Sequence, residues 1–125
     1  MKRLALVLAV VASATIYAQS PMFSRGENVR LKASDPDRLP STAMVLTVVA
    51  VPNDSLAVSD GSLVVNGTRV AQFSSEFLDR VVSNPARIPA RVPEGHYFVM
   101  GEQRINQNVS EYWGQHAASS LETAR

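Results

Sequence analysis

The sequence predicts a mainly β domain, and three observations support this prediction. A continuous run of β-branched and other apolar residues, Met44–Val51, is typical of a strand that is buried on both faces. Two Xaa-Gly pairs, Asp60-Gly61 and Asn66-Gly67, stand between further short apolar runs, as they do in a meander of hairpins. After the N-terminal region, the best helix candidate is Ser75–Val82, where a serine can cap the first turn.

The first 18 residues have the pattern of a secretory signal. Two basic residues precede an apolar stretch of 15 residues, Leu4 to Ala18, and polar residues follow it. As a helix this stretch spans about 22 Å, whereas the hydrocarbon core of a bilayer is about 30 Å thick. We therefore expect residues 1–18 to be a cleaved signal peptide of an exported protein. The alternative is a short membrane anchor, because Ile16 at the −3 position is larger than a cleavage site prefers. Membrane contact would then be made only through residues 4–18.

Composition argues against several classes of function. The formal net charge of +1 provides neither the basic field of a nucleic-acid-binding protein nor an acidic face. There is no cysteine, so an exported domain of this size must be held together by core packing. The two histidines, His96 and His116, are distant from each other and from paired carboxylates, so we expect no metal site and no cofactor.

The remaining chain is expected to form one small domain at residues 26–114, after a linker at residues 19–25 and before a frayed tail at residues 115–125. The tail prediction rests on its lack of apolar residues to bury. Strands are expected at Glu27–Lys32, Met44–Val51, Ser55–Val58, Leu63–Val65, Thr68–Val70 and His96–Met100. Loops are expected at Ala33–Ser41, at the exposed proline-rich segment Ser83–Pro93 and at the polar segment Asn106–Glu111.

The segment Val92–Gly114, VPEGHYFVMGEQRINQNVSEYWG, resembles the last conserved box of the type I signal peptidase family, VPxGxYFVMGDNRxNSxDSRYWG. Gly26–Val29 is similar to the family's GDxV, and Val48–Gly67 is similar to VVGLPGD followed by DGxLYVNG. The resemblance covers residues 26–114. It implies an antiparallel β-sheet or barrel domain behind an N-terminal apolar helix, in the periplasm or on the outer face of the cytoplasmic membrane.

The resemblance also implies a reaction and a partner. The family cleaves export signals with a Ser–Lys dyad, in which a neutral lysine takes the proton of the attacking serine. Its substrate, an extended segment of a preprotein, lies as a strand against a sheet edge. No cofactor takes part.

The two catalytic positions of the family are not matched here. Leu46-Thr47 replaces the Lys-Arg that precedes VVGLPGD, and leucine cannot accept a proton. The family's serine falls on Ala18, with Ser20 the nearest serine. After the signal segment, Lys32 is the one remaining lysine. Ser20 and Lys32 are therefore the candidates for a displaced pair, against their interpretation as a linker residue and an exposed strand residue.

Other positions of the motifs are retained, or are replaced by a similar residue as at Glu102. The retained positions are Pro52, Asp54, Gly101, Glu102, Arg104, Asn106, Ser110 and Trp113. Trp113 is expected to be a core anchor rather than a ligand platform, and His96 an exposed strand residue. Val109 and Glu111 replace the family's Asp-x-Arg, so that ion pair cannot form.

Loss of the family's catalytic serine and lysine favours a pseudoenzyme. This would be a signal-peptidase-like domain without proteolytic activity that binds extended peptides at a sheet edge. One alternative is an active serine endopeptidase with a displaced Ser–Lys pair, which processes signal peptides or, like the conjugal-transfer relatives, pilin precursors. Another is a truncated or decayed peptidase gene product. An amine or imidazole beside an ordered hydroxyl near Leu46 would contradict the loss of catalysis.

Overall fold

The computed structural model describes residues 22–32 and 44–124. The predicted signal peptide or anchor at residues 1–18 and the predicted loop at Ala33–Ser41 lie outside the described residues, as does Ser20. Within the described ranges, no helix is both long and apolar enough to cross a membrane.

Over the described residues, two antiparallel sheets and one α-helix form the domain, which confirms the mainly β class. The strands of the larger sheet are β1 (Asn28–Leu31), β2 (Leu46–Ala50), β6 (His96–Ile105), β7 (Asn108–Ala117) and β8 (Leu121–Thr123). They lie in the order β7-β6-β2-β1-β8. The smaller sheet contains β3 (Leu56–Ser59), β4 (Ser62–Val65) and β5 (Thr68–Arg69), and the helix α1 spans Ser75–Val82.

The two predicted Xaa-Gly turns connect the strands of the smaller sheet. Asp60 and Gly61 have φ angles of 51° and 74°, and Asn66 and Gly67 have φ angles of 50° and 84°. Positive φ at both central residues is the geometry of a type I′ turn, which suits the twist of a tight hairpin. The predicted meander is therefore confirmed.

Helix α1 has the bounds predicted from the sequence. Ser74 caps its N-terminus by accepting a hydrogen bond on Oγ from the Phe77 N–H, at 3.2 Å. Phe77 and Val81, one turn apart on the same face, are fully buried. The helix packs on β4, so it covers one face of the smaller sheet.

The strands of the larger sheet alternate between two cores because successive side chains point to opposite faces. On β6, Phe98 and Met100 join the core that α1 covers, here called the helix-side core. Tyr97 and Val99 join the core on the opposite face, here called the outer-face core. The buried members of the outer-face core are Val29, Leu31, Met44, Leu46, Val48, Tyr97, Val99, Ala118 and Leu121.

The predicted polar loop at Asn106–Glu111 is wrong. Strands β6 and β7 form one long hairpin with ten facing pairs, from His96 opposite Ala117 to Ile105 opposite Asn108. Asn106, with a φ angle of 59°, lies in the turn. Polar residues can continue a hairpin because the ladder uses backbone groups, and apolar periodicity gives no signal for it.

The predicted frayed tail is also wrong over its described part. Strand β7 continues to Ala117, a 3-10 turn follows at Ala118–Ser120, and β8 pairs with β1. Leu121 is almost fully buried. The segment Ser83–Pro93 is mostly exposed, as predicted, but it contains a 3-10 turn at Pro85–Arg87, and its Val92 is fully buried.

Candidate functional site

Leu46, at the position of the family's lysine, is the first residue of β2 and belongs to the outer-face core. It is 2% exposed. Val29 of β1 pairs with it on one side. On the other side the register of Thr47 opposite Met100 brings Leu46 beside Gly101.

Gly101 lies so close to Leu46 that only glycine fits without movement. A Cβ at Gly101 would lie 2.5 Å from Leu46 Cδ2 and 2.9 Å from the carbonyl oxygen of Val45. The leucine side chain therefore occupies the space over Gly101. The position at which the resemblance places a proton acceptor is filled by hydrocarbon within an apolar cluster.

A hydroxyl and an imidazole do meet on β7. Tyr112 Oη lies 2.6 Å from His116 Nε2. Tyr112 packs against the outer-face core and lies opposite Gly101, and both side chains have further contacts. This pair meets the geometric condition set out above, so the prediction of lost catalysis is limited here to the Ser–Lys reaction. The hydroxyl is a phenol, and neither residue occupies a catalytic position of the family. The pair is not evident from the sequence, because residues four apart on one strand normally lie about 13 Å from each other.

Lys32, the candidate displaced base, directly follows β1. Its backbone N–H donates to the Ser120 carbonyl at 2.9 Å. Among the described residues, no hydrogen bond joins its side chain to a hydroxyl group. Because Ser20 lies outside the described residues, the displaced pair stays a prediction.

The chain that follows Ser20 is docked on the sheet. The Phe23 N–H donates to Tyr97 Oη at 3.2 Å, and the two rings meet edge to face with centroids 5.2 Å apart. The Gly26 N–H then donates to the Val48 carbonyl at 2.8 Å. This segment therefore lies against the same apolar core that contains Leu46.

Asp54, a retained position, is a buried junction between three parts of the chain. Its carboxylate accepts two hydrogen bonds from the Arg25 guanidinium, at 2.7 and 2.8 Å. It also accepts from Asn66 Nδ2 at 2.8 Å and from the Val51 N–H at 2.9 Å. The hydrogen bonds from Arg25, against the opposing effect of burial, hold the pKa of Asp54 far below its ordinary value. Sequence reasoning found Asp54 but missed Arg25 as its partner.

Glu102 and Arg104, two further retained positions, contact the helix rather than a reaction centre. The Glu102 carboxylate accepts from the Ser74 N–H at 3.0 Å and from the Ser74 hydroxyl, and Arg104 Nη2 approaches it at 3.4 Å. Burial raises the pKa of Glu102, but the hydrogen bonds from Ser74 outweigh it and the pKa is lowered. These contacts hold the N-terminus of α1 on β6.

Glu111 makes a different ion pair from the one that the family carries at this position. It accepts both Nε and Nη2 of Arg80 on α1, with Nε 2.7 Å from Oε1. Glu111 therefore attaches β7 to the helix. Val109, the other replaced position, is exposed.

The last retained positions have structural roles or face solvent. Trp113 is 8% exposed and packs in the helix-side core near Phe98, so the predicted core anchor is confirmed. Asn106 forms the hairpin turn, and Ser110 is exposed on β7. His96, predicted to be an exposed strand residue, is only half-exposed. Over the described ranges, no three acidic or histidine side chains converge as metal ligands.

Comparison with known proteins agrees with the motifs. The family model described as signal peptidase, peptidase S26, matches residues 2–124. A probable signal peptidase I-2 of Synechocystis sp. is 31% identical over 74 residues, which is 58% of this chain and 31% of the relative. Signal peptidase I of Bacillus licheniformis is 28% identical over 88 residues, which is 66% of this chain and 45% of the relative. The chain thus spans less than half the length of these relatives. No solved structure matches the chain.

Proposed function

This chain belongs to the signal peptidase family, peptidase S26, and we propose that it is a member that does not carry out the Ser–Lys reaction. In this proposal it is an exported domain, in the periplasm or on the outer face of the cytoplasmic membrane. It binds an extended peptide or preprotein segment at a sheet edge. The observation that carries the proposal is the burial of Leu46 in the outer-face core.

The packing around Leu46 supports the proposed loss of the base. A general base must lie within about 2.6–3.2 Å, between heavy atoms, of the group whose proton it removes, and a leucine methyl group has no acceptor. A second group cannot reach the same place from Gly101, because the leucine side chain already fills that space. Loss of one member of a comparable catalytic unit costs about a million-fold in rate.

Peptide binding is the part of the family's behaviour that does not need the dyad. The larger sheet ends at β7 and β8 among the described strands. Strand β7, with ten residues, is long enough to present a row of backbone groups to an extended chain. Two arginine side chains contact this strand: Arg80 donates to the Glu111 carboxylate, and Arg87 donates to the Trp113 carbonyl. Any added strand would have to accommodate these two side chains.

The test is a cleavage and binding assay on the purified full chain. We expect an Ala-x-Ala peptide and a preprotein to remain intact while the peptide still binds. The control variants are Ser20→Ala and Tyr112→Phe. Turnover by the unaltered chain that either substitution abolishes would overturn the proposal, since it would identify a working hydroxyl nucleophile.

The second candidate is an active serine endopeptidase that uses Ser20 with Lys32 on signal peptides or pilin precursors. It is favoured by the contact of Phe23 with Tyr97, which docks the chain following Ser20 against the core that contains Leu46. This candidate requires Ser20→Ala and Lys32→Gln to abolish the same turnover. It fails if cleavage is absent in the unaltered chain, or persists in both variants.

A further inference from the structure

A polar groove lies between the 3-10 turn at Pro85–Arg87 and the second half of β7. Its volume is about 430 Å³. The groove is lined by Ala86, Arg87, Pro89, Tyr112, Trp113, Gly114, Gln115 and His116. None of these lining residues is acidic.

Arg87 is held in this groove by two contacts with Trp113. Its guanidinium carbon lies 4.2 Å from the centroid of the indole ring, and its Nη2 donates to the Trp113 carbonyl at 3.2 Å. A guanidinium group carries five N–H donors. Within the described part of the chain, no ion pair involves Arg87, whereas Arg25, Arg80 and Arg104 each have a carboxylate partner. Arg87 is therefore an oriented positive charge without a counter-charge among these residues.

Gly114 leaves room for a side-chain carbon beside two polar groups. A Cβ at this position would lie 3.8 Å from His116 Nε2 and 4.0 Å from Arg87 Nη2. The imidazole and the guanidinium therefore both lie within 4.0 Å of the same point. Tyr112, hydrogen-bonded to His116, extends the polar wall on the imidazole side.

We propose that the groove over Gly114 binds an oxyanion, a carboxylate or a phosphate, held chiefly by the Arg87 guanidinium. A planar guanidinium pairs with such groups through two parallel hydrogen bonds. Stacking on Trp113 fixes its orientation before the anion arrives, so little side-chain entropy is lost on binding. Gly114 allows the anion to approach the backbone.

Trp113 gives a direct readout of this site, because it is the only tryptophan in the chain and it contacts Arg87. The full chain is titrated with sodium acetate and, separately, with inorganic phosphate, with chloride added to hold the ionic strength constant. We expect a saturable change in tryptophan fluorescence. Saturation with one anion or with both supports the proposal and identifies the carboxylate or the phosphate as the ligand chemistry.

Three variants make the test specific. Arg87→Gln should raise the apparent Kd at least about tenfold, because it removes a charged hydrogen-bonding partner. Gly114→Ala should weaken binding with the fold intact, since its methyl group meets its neighbours only at 3.8–4.0 Å. Arg91→Gln is the matched control, an exposed arginine of the same loop that bonds to the Asn53 carbonyl. A response that never saturates with either anion, or that Arg91→Gln weakens as much as Arg87→Gln, would overturn the proposal.

Discussion

Leu46 and Gly101 fit each other across the ladder between β2 and β6. Leu46 Cδ2 lies 2.5 Å from the position that a Cβ on Gly101 would take. The retained glycine of the last family box therefore accommodates a leucine here, at the place where the resemblance expects a lysine. A motif residue can thus persist through a change in what it contacts.

Gly101→Ala should be destabilising because the new methyl group meets both the Leu46 side chain and the Val45 carbonyl. Overpacking of this kind costs about 1–3 kcal/mol, measurable as a change in the free energy of unfolding in urea. Leu46→Ala alone leaves a cavity and should cost about 2–5 kcal/mol. If the two residues are in contact, the double variant should cost less than the sum of the single variants. Strict additivity would show that they are independent.

Leu46→Lys should not restore peptidase activity, and it should destabilise the fold. A buried lysine has a lowered pKa, because burial disfavours the charged amine. The penalty is therefore fully present below that lowered pKa and declines as pH rises towards the unfolded value of about 10.4. Urea unfolding of the variant from pH 7 to pH 10 measures this trend.

Val45→Lys is the matched control for this substitution, because Val45 is adjacent in sequence and 44% exposed. Its stability should be close to that of the unaltered chain and nearly independent of pH over this range. Equal stability of the two lysine variants would mean that the space around Leu46 accepts a charged amine, which would contradict the proposed loss of the base.

The features that sequence predicts correctly are those whose signals lie within a few residues. The two Xaa-Gly turns and helix α1, with its capping serine, are determined by local backbone preferences and side-chain spacing. The pairing of β8 with β1 joins residues about 90 positions apart, as at Val29 and Thr123. No local pattern encodes that pairing, and so the sequence predicts a frayed tail for a segment that contains the buried Leu121.

The candidate site shows the same division. The identity of Leu46 is visible in the sequence, and its burial follows from the apolar run around it. The partners of Asp54 and Glu111 are not visible, because Arg25 and Arg80 lie 29 and 31 residues away in sequence. Long-range ion pairs depend on the completed fold, since many arginines are available and only tertiary structure selects one.

Asp54→Asn should destabilise the fold at neutral pH by about 2–3 kcal/mol, since it weakens charged hydrogen bonds to a buried group. The pKa of Asp54 is lowered in the folded state. Its contribution is therefore present above the unfolded pKa of about 3.9 and is lost as pH falls from there towards the folded-state value. The difference in unfolding free energy between the two proteins should shrink below about pH 4.

Asp60→Asn is the control for this prediction. Asp60 is an exposed residue of the type I′ turn, where asparagine is at least as favourable. The control should match the unaltered chain at every pH. An Asp54→Asn deficit that stays constant down to pH 2 would show that the ionised carboxylate does not stabilise the fold.

Glu111→Arg restores the residue type of the family at this position but places it against Arg80. We expect a lower thermal unfolding midpoint, because like charges replace the two-point contact between β7 and α1. Arg80→Glu combined with Glu111→Arg reverses the pair and should recover part of the loss. If the thermal unfolding midpoint of the double variant is no higher than that of Glu111→Arg alone, the contact between residues 80 and 111 does not hold α1 on β7.

Leu121→Ala tests whether the C-terminal segment belongs to the fold. Leu121 is 1% exposed in the outer-face core, and its strand continues to a hydrogen bond from the Ala124 N–H to the Asn28 carbonyl, at 3.0 Å. The substitution should therefore lower the free energy of unfolding by about 2–5 kcal/mol, because it removes a buried side chain. Glu122→Ala, on the exposed side of the same strand, should change little. Equal stability of both variants would indicate a frayed tail, because a leucine in solvent loses nothing when it is shortened.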